Sequence, residues 1–386
     1  MMRSGSKRKP GFSLWKSIAA AASLYLITSG ADGSSQTMIE NPDKPSSRNA
    51  GRTVVLDEVM RIRDDGKNAV FRNPRYLTLL ADGSLIFFDY PFLYKYDKAG
   101  KFVFKALKQG KGPGECEHPD LYYINGGIIY VHSWIPPKIL EYDLNGRYIG
   151  ETKTPYNGPF AFLGLIDKRL IGVRDEIRFS EFIHREGFFE TPYTLYEISP
   201  DYNSLKKIHA LPMLHYIKKA HWWRRGAFTA VARQNFLFIV HTSDYRIVKF
   251  DLRSGLVERV FKRKYPRLKS GDEGDEQDIY NPVPKQLLPP PLDYVFDILW
   301  LRVCRDALWV FTSTAKDGGT KTLVDVFDLE GKYIDCFYLE FPANTEKHGI
   351  YNSLVSDDGS IFIPEENQDT GLLSIGEYRI REQPRP

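Results

Sequence analysis

The chain has 386 residues, of which 42% are hydrophobic and 26% are charged, a composition typical of a globular protein and not of a disordered one. Aromatic residues reach 14%, with 24 Phe and 23 Tyr, and this favours strands over helices. The formal charge of +4 depends on residues 1–31, which hold five basic side chains and no acidic one, so the remaining chain carries −1. A near-neutral chain lacks the basic surface of nucleic-acid-binding proteins, and we expect no nucleic-acid partner.

Residues 1–31 have the pattern of a secretory signal peptide. The basic stretch MMRSGSKRK precedes a short apolar run, SIAAAASLYLITSGA, and Ser29-x-Ala31 suits a signal peptidase. The run is short and interrupted for a membrane span, although an uncleaved anchor stays open as the alternative. We therefore predict an exported protein, periplasmic or secreted, with no membrane insertion beyond this segment and with a flexible linker over residues 32–50.

From Pro74 to Ile380 the sequence repeats one pattern of strand, tight turn, strand, loop, strand, tight turn, strand. The first turns read ADGS, NGG and DDGS, and the second turns read YDKAGK, YDLNGR, FDLRSG and FDLEGK. Copies lie at 76–107, 121–153, 160–211, 228–262, 295–341 and 351–380, and the last copy is one strand short.

The segment 51–65 alternates like a strand, and we predict that it supplies the outer strand missing from the last copy. Four-stranded units of this length pack side by side as propeller blades. The sequence therefore predicts an all-β protein, with a six-bladed β-propeller of antiparallel blades over residues 51–386. We expect it to be a monomer.

The stretch KQGKGPGE (108–115) has glycine at positions 110, 112 and 114 but lacks the following helix and the Gly-Lys-Ser/Thr ending of a phosphate loop. Together, LLADGSLIFFD, LYKYDKAGKFV and QGKGPGE, followed by another blade, resemble the bacterial exported six-bladed β-propeller family with NHL-like blades. In that family a G-x-G-P-G-E loop commonly follows an early blade, and many members have no assigned activity. The resemblance covers roughly residues 51–380 and implies that the loop bridges adjacent blades.

The tight turns all lie on one face of such a disc, and the longer links emerge on the other, which we call the long-loop face. Loops on a rigid scaffold usually carry the binding residues. We therefore select the following ligand-binding candidates on this face: His132, Trp134, Arg174, Glu176, Trp222, Trp223, Arg225, His241, Tyr245 and Glu365.

Three patterns bear on ligand binding, and the first two allow more than one interpretation. His132 and His241 occupy corresponding places in two blades, where they either bind a divalent cation such as calcium or zinc or only satisfy a neighbouring carbonyl. HWWRRG (221–226) either stacks a sugar ring or holds an anionic group, or it plugs its blade with its cations reaching outward. SGDEGDEQD (270–278) lacks the ligand order of an EF-hand and reads as a solvated acidic insertion.

Cys116, Cys304 and Cys336 are an odd number for an exported chain. A Cys304–Cys336 bridge is one possibility, and buried free thiols are the other.

Two functions follow from these patterns. The first is an exported binding or scaffolding propeller that holds a peptide, glycan or protein partner. The second is a metal-dependent propeller hydrolase or lyase, lactonase-like or amidating-lyase-like, with His132 and His241 as ligands and Glu176 or Glu365 as carboxylate or base. No G-x-S-x-G or H-E-x-x-H motif is present, which favours the first.

Overall fold

The computed structural model describes residues 37–63, 70–155, 161–176, 184–219, 221–226, 228–270, 287–342, 345, 352–367 and 369–382. These residues form mainly β-strands and turns. Within this part of the chain, no helix has both the length and the apolar character that crossing a bilayer requires. The predicted signal peptide and most of the acidic insertion at 270–278 lie outside the described residues.

The strands group into the six predicted blades, preceded by β1 (Thr37–Asn41) and β2 (Arg52–Arg63). Blade 1 contains β3 (Arg75–Leu79), β4 (Leu85–Asp89), β5 (Phe92–Tyr96) and β6 (Phe102–Ala106), and blade 2 contains β7 (Pro119–Asn125), β8 (Ile128–Trp134), β9 (Pro137–Asp143) and β10 (Tyr148–Lys153). Blade 3 contains β11 (Ala161–Ile166), β12 (Arg169–Asp175), β13 (Gly187–Ile198), β14 (Leu205–Lys218) and β15 (His221–Arg224), and blade 4 contains β16 (Thr229–Arg233), β17 (Phe236–Val240), β18 (Ile247–Asp251) and β19 (Leu256–Arg263). Blade 5 contains β20 (Ile298–Cys304), β21 (Ala307–Lys316), β22 (Lys321–Asp328) and β23 (Tyr333–Glu340), and blade 6 contains β24 (Leu354–Val355), β25 (Ser360–Glu366) and β26 (Leu373–Glu382).

Strand β2 completes blade 6, as the sequence predicted. It pairs antiparallel with β26 from Val54 to Arg63, and its first residues, Arg52–Val54, also pair in parallel with β23 of blade 5. The first strands of blades 5 and 6 contact each other, and β24 of blade 6 contacts β3 of blade 1, which closes the ring. Because β2 covers the outer edge of β26, the last blade has no bare edge there.

The predicted linker over residues 32–50 is corrected where the structure describes it. Residues 37–51, here called the strap, begin with β1, which pairs in parallel with β19 of blade 4. Asn41 then accepts a hydrogen bond from the Tyr333 amide (2.9 Å) and donates one to the Gly331 carbonyl (2.9 Å), both in blade 5. The Gly51 amide donates to the Cys336 carbonyl (2.8 Å). The strap is thus fastened to the outer edges of two blades.

The core lies between the blades, because both faces of each sheet are covered by neighbours. Consecutive residues show this: Phe87 packs in a cluster with Phe362 and Ile375 of blade 6, whereas Phe88 packs with Ile129 and Val131 of blade 2. Successive side chains of a strand point to opposite faces. This explains why the second strand of a blade reads as a continuous apolar run such as LIFF.

The loop KQGKGPGE is a structured bridge between blades 1 and 2. The Gly112 amide donates to Glu115 Oε2 (3.0 Å), and the Gly114 amide donates to Glu151 Oε2 (2.9 Å). A Cβ on Gly110, whose φ is +147°, would lie 2.1 Å from Glu115 Oε2. Carboxylates of the chain itself thus occupy the amides of Gly112 and Gly114, and the glycines serve backbone shape, as predicted.

All three cysteines are free thiols, with Cys116 and Cys304 buried and Cys336 half-buried. The alternative of a Cys304–Cys336 bridge is wrong. Cys304 lies in β20 and Cys336 in β23, three strand positions apart in one sheet. Three interstrand spacings amount to roughly 14 Å, about twice the Cα separation that a disulfide tolerates.

Candidate functional site

The second strand of every blade has a polar residue at an equivalent position, within the strand or directly after it. Each follows four mainly apolar residues, and together they are Asp89, His132, Arg174, His241, Thr312 and Glu365. All except Arg174 are at least nine-tenths buried. Four of these six are predicted site residues, and His132 and His241 share this position in their blades.

Three of the six are satisfied within the fold. Asp89 accepts hydrogen bonds from the amides of Arg72 (2.9 Å) and Asn73 (2.6 Å). Thr312 donates to the Leu323 carbonyl (3.0 Å). Glu365 accepts from the Tyr378 hydroxyl and pairs with Arg61 Nη1 at 3.2 Å. These groups hold strands together, and Glu365, a predicted site residue, belongs to blade 6 itself.

The two predicted metal ligands are not brought together. Val131 packs toward blade 1, so alternation turns His132 toward blade 3. Val240 packs toward blade 5, which turns His241 toward blade 3 from the other side. Blade 3 therefore stands between the two imidazoles, and burial lowers the pKa of each to about 4. The described residues contain no group of three or more His, Cys, Asp or Glu side chains arranged to hold a metal ion.

Tyr245, another predicted site residue, is part of a buried network between blades 4 and 5. Its hydroxyl donates to Asp325 Oδ2 (2.7 Å), and Arg263 Nε donates to the same oxygen (2.7 Å). The Tyr333 hydroxyl donates to Asp325 Oδ1 (2.7 Å). Burial is the main cause that raises the pKa of Tyr245 well above its usual value. This tyrosine is 4% exposed and cannot meet a ligand on the long-loop face.

A polar cluster that the sequence analysis missed lies on the side of blade 3 that faces blade 4. His215 Nε2 is 3.0 Å from Asp175 Oδ2, and its Nδ1 is 3.0 Å from Thr191 Oγ1. Arg224 stacks on Tyr193 with 4.7 Å between the guanidinium carbon and the ring centre. His215 is fully buried and Thr191 is 3% exposed, so the cluster resembles a nucleophile triad in composition but has no access to a substrate. Its signal in the sequence was weak, because its members come from four different strands, β12 to β15.

One further predicted residue, Arg225, lies near this side. Arg225 is buried and its Nη2 donates to the Pro290 carbonyl (2.8 Å), which ties blade 3 to the chain after the acidic insertion. A Cβ on Gly226 would lie 3.1 Å from the His241 carbonyl oxygen, so this turn is packed against blade 4. Arg225 is therefore a buried structural cation.

Blade 3 extends past the other blades on the long-loop face, because β13 and β14 are paired from Gly187 and Ile217 onward and β15 adds a further strand. Three aromatic residues lie side by side across these strands: Phe188 pairs with Tyr216, and Tyr216 pairs with Trp223. The ring centres are 5.0 Å and 6.1 Å apart, and the rings are half-buried. We call Phe188, Tyr216 and Trp223 the aromatic surface.

The aromatic surface faces blade 2. His215 and Met213 point toward blade 4, so alternation along β14 turns Tyr216 the other way. Trp134 ends β8, two residues after His132, and 36% of the residue is exposed. Trp134 also makes an edge-on contact with His118, at 5.7 Å between ring centres.

Charged groups lie at the base of this region. Arg174 and Glu176 share the blade 2 side of blade 3, and Glu176 accepts a hydrogen bond from the Tyr196 hydroxyl (2.5 Å). Of the predicted residues, the sides that blades 2 and 3 turn to each other thus carry His132, Arg174, Glu176 and Trp223, and Trp134 lies at the end of β8 in blade 2. Trp222 lies in β15, between His221 and Trp223.

Comparisons with known proteins agree with this architecture. A family model described as a 6-bladed beta-propeller matches residues 84–191, which span blade 2 and parts of blades 1 and 3. One similar solved structure is that of a protein from Bacteroides fragilis that is inferred to be exported. The two chains align over 90% of this chain and 100% of the other, with 13% sequence identity and a TM-score of 0.51. The chain is a six-bladed β-propeller.

Other solved structures similar to this propeller have TM-scores below one half. A gluconolactonase from Xanthomonas campestris matches with 13% identity and a TM-score of 0.42, covering 90% of this chain and 100% of its own. Regucalcin, a calcium-binding protein from Agrobacterium tumefaciens, matches with 12% identity and a TM-score of 0.39, covering 86% and 98%. No curated protein matches the sequence. At such identities the likeness concerns the fold and not the activity.

Proposed function

We propose that this propeller is an exported binding protein that holds a carbohydrate chain between blades 2 and 3 on its long-loop face. The observation that carries the proposal is the aromatic surface of Phe188, Tyr216 and Trp223 on blade 3. The exposed Trp134 at the end of β8 in blade 2 offers a further aromatic ring. Aromatic rings offer flat apolar faces to the C–H side of a sugar ring, and the hydroxyl and indole N–H groups of Tyr and Trp add polar contacts.

The charged groups at the base of the space support this ligand class. Arg174 supplies several N–H donors and Glu176 supplies acceptor oxygens, and both types of group suit the hydroxyls of a sugar. Glu176 already accepts from Tyr196, which orients its carboxylate. Both sides of the space rest on strands and not on free loops, which gives a preorganised surface.

The test is a titration of the mature protein with a panel of neutral oligosaccharides, in which binding is detected by tryptophan fluorescence and by calorimetry. We expect one class to bind, and we expect Trp223→Ala and Trp134→Ala each to weaken binding about 30-fold, the loss of roughly 2 kcal/mol that an aromatic anchor contributes. Tyr148→Ala is the matched control, because Tyr148 is an exposed aromatic (39%) on the outer strand of blade 2. It should leave the affinity unchanged.

Two results would contradict the proposal. The first is that no oligosaccharide binds at millimolar concentration. The second is that Trp223→Ala and Trp134→Ala bind as the wild type does. If an extended peptide library binds instead, and the same two variants lose that binding, the surface is a peptide site and the carbohydrate proposal is wrong.

A further inference from the structure

A cavity of about 760 Å³ lies at the outer rim of blades 4 and 5. One wall is the strap, from Asp43 to Gly51, and another is the chain just after β19, from Arg263 to Pro266. The third wall comes from blade 5 and includes Leu323, Tyr333 and Tyr338. Pockets for small molecules typically measure about 300–1,000 Å³, so this strap cavity has a suitable size.

The floor of the strap cavity carries a buried guanidinium. Arg263 is 8% exposed, and its Nε donates to Asp325 (2.7 Å) and its Nη1 to the Lys264 carbonyl (3.1 Å). The described residues offer Nη2 no acceptor. The guanidinium carbon lies 5.1, 4.9 and 5.3 Å from the ring centres of Tyr245, Tyr265 and Tyr333, respectively, so the group is held rigidly. A fixed guanidinium with one free nitrogen at a cavity floor is suited to binding an anion.

The charge of the lining favours an anion as well. Lys44, Arg48 and Lys264 line the cavity with Arg263, whereas Asp43 is the single carboxylate in the described lining. Asp325 balances the charge of Arg263 from behind. The Lys264–Asp43 pair is long, at 3.8 Å, and exposed on both sides, so it holds these charges only weakly.

The rest of the lining is flat and apolar. It includes the rings of Tyr265, Tyr333 and Tyr338 and the prolines Pro45 and Pro266. Such walls favour a planar apolar body over a fully hydrated inorganic ion. We propose that the strap cavity binds a small organic anion with a flat apolar body, whose carboxylate or sulfonate group is held by Arg263, Lys44 and Lys264.

The first experiment uses 2-naphthalenesulfonate as the probe, with the full mature protein in a calorimeter at low ionic strength. We expect one molecule to bind per chain, and we expect uncharged 2-methylnaphthalene not to compete. Lys44 and Lys264 are exposed, so the Lys44→Glu/Lys264→Glu variant should fold. It should bind about 10-fold more weakly or worse, because two cations near the anion are reversed. The control Lys98→Glu/Lys101→Glu makes the same charge change on the exposed second turn of blade 1 and should stay within about twofold of the wild type.

The second readout uses Cys336, which lines the cavity, whereas Cys116 and Cys304 are buried. Bound probe should slow the modification of Cys336 by a thiol reagent in the native protein, located by mass spectrometry. The proposal is overturned if the probe does not bind at millimolar concentration, if 2-methylnaphthalene competes fully, if both charge variants bind alike, or if the probe binds without protecting Cys336. None of these outcomes depends on carbohydrate binding between blades 2 and 3.

Discussion

Replacing Asp325 by alanine removes the common acceptor of the buried network between blades 4 and 5. Asp325 is 0% exposed and accepts from Tyr245, Arg263 and Tyr333, each at 2.7 Å. In the variant the two tyrosine hydroxyls lose their partner and the Arg263 guanidinium loses its counter-ion. The guanidinium is 5% exposed at the side chain, so water replaces the carboxylate only poorly.

Removing one member of a buried ion pair typically costs about 3–5 kcal/mol, because the other charge stays buried and uncompensated. The unfolding entropy of globular proteins is about 2 cal/mol/K per residue. For a chain of 386 residues, a loss of this size lowers Tm by about 4–6 °C. The exposed Asp306, 3.7 Å from Arg233 and 93% exposed, is the matched control, and Asp306→Ala should shift Tm by less than about 1 °C.

The assay is thermal unfolding at neutral pH, monitored by circular dichroism. Urea unfolding checks that the dependence of the unfolding free energy on urea concentration is unchanged. A second variant, Arg263→Met/Asp325→Leu, removes both charges and should recover part of the lost stability. No uncompensated charge then stays buried, although the two tyrosine hydroxyls still lack their acceptor. If Asp325→Ala unfolds within about 1 °C of the wild type, or if the double variant is less stable than the single one, the ion pair is not what joins these blades.

Two further predictions concern pH and backbone shape. Burial holds the pKa of His132 and His241 near 4, below the usual value of about 6.5. As the pH falls, the unfolded chain therefore takes up protons before the folded protein does. The stability that these residues contribute is present above about pH 6.5 and is lost as the pH falls toward 4. Between about pH 7 and pH 5, the free energy of unfolding of His241→Asn, measured by urea titration, should therefore fall by about 2 kcal/mol less than that of the wild type. Equal decreases would contradict the lowered pKa of His241. Gly146 has φ +78° and its Cβ would lie 2.5 Å from the ring of Phe104, whereas Gly126 has φ +56° and open space around it. Gly146→Ala should lower Tm clearly more than Gly126→Ala, which bears only the backbone strain of about 1 kcal/mol, and similar shifts for the two would show that Phe104 moves aside freely.

The blades, their turns and the closing strand β2 could be predicted from the sequence because their signals are local. An Asp-Gly turn and a run of alternating or continuous apolar residues constrain a few neighbouring residues, and the pattern recurs from blade to blade. The same is true of the glycine-rich loop, where Gly110 sits beside Glu115 only five residues away. Equivalent positions such as His132 and His241 were also visible, but position in a repeat does not show which neighbouring blade a side chain meets.

What only the tertiary structure decided are the contacts between distant segments. The strap segment TMIEN has no strong strand pattern, and it becomes β1 because β19 offers an unpaired edge, more than two hundred residues later in the chain. Arg263 and Asp325 are 62 residues apart and meet because blades 4 and 5 pack face to face. The aromatic surface exists because β13 and β14 stay paired beyond the disc. The alternation of side chains along β14 then decides which face of the sheet carries Tyr216. Such contacts depend on packing between whole sheets, and no short stretch of sequence contains that information.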